Sequence, residues 1–227
     1  MLIAATVAAF VAGLTGSWSP CGLSMISTLS RSGHGGGLLT TLAACVAFVP
    51  GALVGGVFTF GMLAIVGQTL GGGELVLAVA VMVLLLAAAL EIRGTPIVPQ
   101  IRRQVPEHWR RLVPLPHVAA AYGVLLGLGF TTFVLTFAVP ALAAIALLIG
   151  DPVTGLAIGL AFGAGRALPV VVLAPLAERS IGVRARELME ERPGVLRSFR
   201  FADGLALLVC AAAVGVQSAE LAAIIVP

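Results

Sequence analysis

Long apolar runs separated by short polar stretches dominate this chain. No Asp, Glu, Lys or Arg occurs in residues 1–30, 32–73, 118–150, 152–165 or 204–219. A helix needs about 20 apolar residues to cross the hydrocarbon core of a bilayer. The pattern predicts six transmembrane helices, over residues 2–29, 38–67, 74–92, 118–149, 153–177 and 202–224. Gly-rich connections at 30–37 and 68–73 join the first three. A Pro- and Arg-rich connection follows at 93–117, then the turn Asp151-Pro152. The mixed-charge connection 178–201 is expected to hold a short surface helix over 184–191.

Composition agrees with this pattern. Of the 227 residues, 59% are apolar and 10% charged, and the mean hydropathy is +1.12. A soluble domain carries about a quarter charged residues to wet its surface. Soluble enzymes, disordered tails and nucleic-acid-binding modules are therefore excluded. The absence of alternating ten-residue segments argues against a β-barrel. Every basic side chain is Arg, and twelve of the thirteen fall in the first, third and fifth connections. The positive-inside rule makes these connections cytoplasmic. The expected placement is a multi-pass protein of the bacterial inner membrane, with both termini extracytoplasmic. The first 15 residues have no basic stretch before them and read as a retained span, not a signal peptide.

The halves echo each other. Gly16-Ser17-Trp18-Ser19-Pro20-Cys21 aligns on Leu128-Gly129-Phe130-Thr131-Thr132-Phe133, and Ala47-Phe48-Val49-Pro50-Gly51 on Ala161-Phe162-Gly163-Ala164-Gly165. The predicted architecture is one all-α membrane domain of two inverted three-helix repeats, residues 1–92 and 118–227, joined by a cytoplasmic connection at 93–117. Such repeats place a site near the midplane, where broken helices meet.

Candidate chemistry concentrates at these breaks. Pro20 cannot donate a backbone hydrogen bond, and the carbonyls it frees need Ser17, Ser19, water or another helix. Cys21 beside that opening is the candidate reactive thiol. Arg166 lies deep in the fifth span, where an uncompensated charge is costly. No acid is placed at a comparable depth, so the carbonyls opened by Pro169, a substrate anion or a thiolate are its expected partners. Thr131, Thr132 and Thr136 form a hydroxyl cluster opposite the Cys21 motif. Cys45 and Cys210 are weaker candidates, as small buried hydrophobes are the usual fate of such residues. His34 sits in a Gly-rich string, but no Gly-x-Ser-x-Gly occurs and a hydrolase is discarded. No cofactor motif or metal-ligand spacing is present.

At these residues the chain resembles the CcdA family, small relatives of the transmembrane part of DsbD. Ser19-Pro20-Cys21, Gly129-Phe130-Thr131-Thr132 and Phe162-Gly163-Ala164-Gly165-Arg166-Ala167-Leu168-Pro169 carry the resemblance. It implies thiol–disulfide exchange across the membrane for cytochrome c biogenesis. It also implies two partners, cytoplasmic thioredoxin and an extracytoplasmic thioredoxin-like protein. Cys21 matches the first cysteine of the family's pair, and Phe133 stands where the second belongs. Phenylalanine cannot resolve a mixed disulfide, so Cys45 or Cys210 would have to substitute, or Cys21 would exchange directly with a partner's thiol. Two alternatives remain on the same scaffold. One is a transporter or channel for a small anion, sulfur species or soft metal ion. The other is an accessory subunit of a membrane complex that docks through its Arg-rich loops.

Overall fold

The computed structural model describes residues 1–71, 74–94, 113–130, 136–179, 183 and 193–225, all of them helical or connecting. Helices α1 (Leu2–Gly16), α2 (Pro20–Leu29), α3 (Arg31–His34), α4 (Leu38–Leu70) and α5 (Glu74–Arg93) form the first part of the chain. The second part comprises α6 (Leu115–Leu128), α7 (Ala138–Ile149), α8 (Pro152–Leu173) and α9 (Pro193–Ile225). Among the described residues there is no strand.

Among the described residues, four helices are long and apolar enough to cross a membrane, within Leu38–Thr69, Leu75–Arg93, Pro152–Leu173 and Arg197–Gln217. The bent pair α1 and α2 makes a fifth if counted as one span. These helices are compatible with a multi-pass membrane protein. The expected six spans need correction at two places. The first is two helices at 70° to one another. Pro20 does not merely kink a continuous helix. It occupies the first turn of α2, where its missing N–H costs nothing, and Ser19 caps that helix by accepting from Gly22 N. The expected span 118–149 is likewise divided, because α6 stops at Gly129, whose φ of +76° cannot continue a helix. Helices α6 and α7 are 14 and 12 residues long, each too short to cross alone. The last helix begins at Pro193, earlier than the expected 202. The expected surface helix at 184–191 lies outside the described residues.

Small residues bring the helices together. A Cβ on Gly123 would lie 2.3 Å from the Phe48 carbonyl oxygen, and one on Gly51 would lie 2.2 Å from that of Ala120. Helices α4 and α6 therefore touch backbone to backbone. Gly56, Gly159 and Gly163 do the same between α4 and α8, and Gly13 and Gly165 between α1 and α8. This is the small-residue seam by which helices associate in lipid, where dispersion and not water exclusion drives contact. Helix α9 packs on α5 and α1. The outward faces are apolar: Leu39, Ile3, Leu75 and Val46 are each more than 70% exposed. A soluble domain would not present such a surface.

Candidate functional site

The interruption between α1 and α2 gathers the buried polar groups. Residues 17–19 carry the chain from the end of α1 to the cap of α2, with Ser17 N turning back to the carbonyls of Gly13 and Leu14. The Ser17 hydroxyl faces the Gly13 carbonyl at 3.0 Å and the Arg166 carbonyl at 2.9 Å, tying the end of α1 to α8. Arg166 is fully buried, at 0% exposure. Its Nη1 donates to the Gly16 carbonyl at 2.7 Å. That carbonyl belongs to the last turn of α1, the negative end of a helix dipole, so the contact favours a cation. Phe162 adds its ring, with a centroid 5.3 Å from Cζ. The expectation that carbonyls opened by Pro169 neutralise Arg166 is thus corrected. Pro169 frees the Gly165 carbonyl on its own helix, whereas the guanidinium reaches across to α1.

A second correction concerns acids. Asp203, on α9, is buried and acts electrostatically on Arg166. Thr15 Oγ1, on α1, lies 2.9 and 2.8 Å from the two Asp203 carboxylate oxygens. Thr136 supplies Asp203 with another side-chain hydrogen bond. Close by, Glu91 pairs with Arg200 Nε at 2.8 Å and accepts from the backbone N–H of Phe137. Phe137 is the cap position of α7, which lacks a side-chain cap of its own. The carboxylate therefore satisfies an otherwise orphan helix terminus. Two acids and two arginines thus lie buried between α1, α5, α8, α9 and the start of α7.

The expected site residues separate into three groups. Ser17, Ser19, Pro20, Cys21, Arg166 and Pro169 lie on or beside the break. Cys45 packs in a core cluster with Met25, Phe48 and Tyr122, while Cys210 belongs to a different cluster with Phe60, Leu84 and Phe162. All three cysteines are buried and free. Thr131, Thr132 and Phe133 lie outside the described residues. Thr136, the described member of the expected hydroxyl cluster, hydrogen-bonds Asp203. Sequence reading missed Thr15, Glu91, Arg200 and Asp203. The usable signal was an acid inside an apolar segment, which is costly unless paired. Among the described residues no group of three or more His, Cys, Asp or Glu is arranged to hold a metal.

No family model and no solved structure matches the chain. Curated proteins do. The chain is 33% identical over 198 residues to the methylamine utilization protein MauF of Paracoccus versutus, covering 77% of this chain and 66% of that protein. Against MauF of Paracoccus denitrificans it is 35% identical over 171 residues, 73% of this chain and 61% of the relative. With MauF of Methylophilus methylotrophus the match is 30% over 220 residues, 91% of this chain and 73% of the relative.

The chain belongs to the MauF family. It spans somewhat less than two thirds of the length of the two Paracoccus relatives. Membership in MauF overturns the resemblance to CcdA and DsbD. The thiol–disulfide relay, the role in cytochrome c biogenesis and the two thioredoxin-type partners fall with it. The physical reason for the mistaken likeness is visible at the break. Ser19-Pro20 is a cap followed by a first-turn proline, a general way to start a helix. Cys21 follows it as a small buried side chain.

Proposed function

We propose that this protein is an accessory membrane component of methylamine utilization, embedded in the bacterial inner membrane. The alignment to MauF of Methylophilus methylotrophus over 91% of the chain carries this reading. The apolar outer surface of the helix bundle supports its placement in lipid.

The proposed topology is six crossings in two inverted repeats, with α1 and α2 as one crossing and α6 and α7 as another. Parallel features of the two halves support it. Each has a broken element, α1/α2 or α6/α7, and then a long helix with an internal proline, Pro50 in α4 or Pro169 in α8. A further apolar helix, α5 or α9, follows. On the positive-inside rule the connections with Arg31, with five arginines and with six face the cytoplasm, and both termini face outward. Those basic connections form the docking surface for the rest of a membrane complex. The functional centre is the break with Ser17, Ser19, Pro20, Cys21 and Arg166, which holds the most expensive buried group in the bundle.

Complementation tests the role. A methylamine-growing bacterium lacking its own MauF is given this chain, or the same chain with Arg166→Gln, at matched membrane abundance. Restored growth on methylamine by the parent chain, and impaired growth with the variant, is the expected result. Unrestored growth despite normal membrane insertion would overturn the assignment. Reporter fusions at the two termini and within 93–117 check the orientation.

A further inference from the structure

Helix α4 carries an apolar stripe that α6 covers along only part of its length. Gly51 and Gly55 begin the stripe, and there the two helices touch backbone to backbone. A Cβ on Gly55 would lie 2.3 Å from the Val124 carbonyl oxygen and 2.8 Å from Leu128 N. One to three turns further on, the same face presents Phe58, Thr59, Met62 and Val66. The Thr59 hydroxyl donates to the carbonyl of Leu128, the last residue of α6, at 3.0 Å. Because α6 ends there, at a Gly129 with φ of +76°, it covers none of the stripe beyond.

The uncovered part is a groove of about 460 Å³, walled on its other side by Val139, Pro140 and Ala143 of α7. It opens outward, with Phe58, Met62, Val66 and Phe130 each about half exposed. The lining is almost entirely apolar. Thr59 brings the one hydroxyl among these lining residues, and its proton is already given to Leu128, so a polar ligand finds no free side-chain donor there. The groove is continuous with the apolar outer surface of the bundle, and in a bilayer that surface meets hydrocarbon.

Size decides between hydrocarbon occupants. From Phe58 to Val66 the stripe runs about 12 Å, and a helix of that length with its side chains fills roughly 1,000 Å³. The groove offers less than half of that, too little to seat a helix of a partner or of a second copy. A water takes about 30 Å³ and a chain methylene about as much, so the groove accommodates on the order of fifteen carbons of a single chain.

We propose that this groove is a binding site for one acyl chain of a membrane phospholipid, lying along α4 where a longer α6 would have continued. In lipid no hydrophobic gain favours one apolar surface over another. Retention comes instead from packing contacts, which walls on two sides multiply over those of a convex helix face. The inference rests on the placement of the bundle in lipid and not on the methylamine role.

The full chain is extracted from bacterial membranes in a mild detergent, and bound phospholipid is counted by mass spectrometry after repeated detergent exchange. Resistance of the chain to alkaline carbonate extraction, measured on the same membranes, checks the placement in lipid separately. One phospholipid per chain is expected. Ala143→Phe fills the groove from the α7 side and should release it, while Val46→Phe, at an outward position of α4 outside the groove, should leave it bound. After delipidation, dioleoyl phosphatidylethanolamine should raise the unfolding midpoint saturably, with a half-saturating concentration about tenfold higher in Ala143→Phe. A dihexanoyl lipid with the same headgroup should give no saturable rise. Three results would overturn the proposal: no phospholipid kept by the parent chain, equal retention in Ala143→Phe, or an equal response to the short-chain lipid, which would make this a headgroup site. If Ala143→Phe does not fold, Phe58→Ala, which removes the outer wall, takes its place with the same expected loss.

Discussion

Two regions of this bundle hold helices together by opposite means. Along the seam of α4 with α6 and α8, glycines let backbones touch, and mainly dispersion acts. At the break beside α1, charged and hydroxyl side chains from five helices meet. Most of the closest glycine contacts in the seam are backbone on backbone, Gly155 against the Ala64 methyl being different, so the helices have little that can adjust. At the break the contacts between helices run largely through side chains, among them Thr15, Glu91, Arg166 and Asp203, and each buried charge costs several kcal/mol before its partner offsets part of that. A bundle needs only seams of the first kind to associate in lipid, so the second kind is a cost that association alone does not require.

The largest expected effect lies in the seam. Gly123→Leu places a side chain where a Cβ alone would be 2.3 Å from the Phe48 carbonyl, and neither backbone can yield. We expect a loss of about 3 kcal/mol or more, seen as disappearance of the monodisperse species on fluorescence-detected size-exclusion chromatography. A normal elution profile would show that the seam is looser than described.

Next comes the ion pair at the break. Glu91→Ala removes the carboxylate from Arg200 and from the start of α7, and should cost about 3–5 kcal/mol. The double replacement Glu91→Leu with Arg200→Met should recover much of the lost thermal stability while leaving methylamine-dependent growth impaired. Recovery of both would make the pair a structural element like the glycines and erase the contrast.

Gly16→Ala sharpens the boundary between the regions, because this close-packed glycine stands at the break and not in the seam. Its added methyl meets the guanidinium and not a backbone, so Arg166 can shift. The expected cost is about 1–3 kcal/mol, smaller than for Gly123→Leu, with a disproportionate loss of function in the complementation assay.

The smallest effect concerns Asp151, outside both regions, which caps α8 through Val153 N and Thr154 N. Asp151→Ala should cost about 1 kcal/mol. The Thr154 hydroxyl and these backbone N–H groups together hold its carboxyl below the ordinary range against a smaller opposing effect of burial. A lowered folded-state value stabilises above the unfolded pKa of about 4 and loses that stabilisation as pH falls through the folded value. Thermal melts of the parent and Asp151→Ala chains should therefore converge at low pH. A difference that persists there would mean that the cap works without its charge.

Much of the bundle was legible from apolar runs alone. The long helices α4, α5 and α8 lie close to the segments expected at 38–67, 74–92 and 153–177. Divided elements were harder to read. Nothing in the apolar count distinguishes a continuous helix at 118–149 from two helices separated at Gly129, since a break changes direction and not hydropathy. Arg166 was readable as a buried polar group because charge in an apolar segment is rare. Asp203 and Glu91 carried the same signal more weakly, each near the end of a segment where water was a plausible neighbour. The likeness to CcdA failed because a cap, a proline and a small residue describe how a helix begins, not what its side chains do.

By itself the sequence determined that the chain is helical, that its outer surface is apolar and that Arg166 must be held away from lipid. These follow from local composition, because each helix satisfies its own backbone and lipid penalises charge wherever it stands. Only the tertiary structure decided that Arg166 rests against Gly16, 150 residues away in sequence, and that Asp203 meets Thr15 across 188. Those partners depend on crossing geometry set by glycine seams elsewhere in the bundle, which no local pattern near either residue encodes.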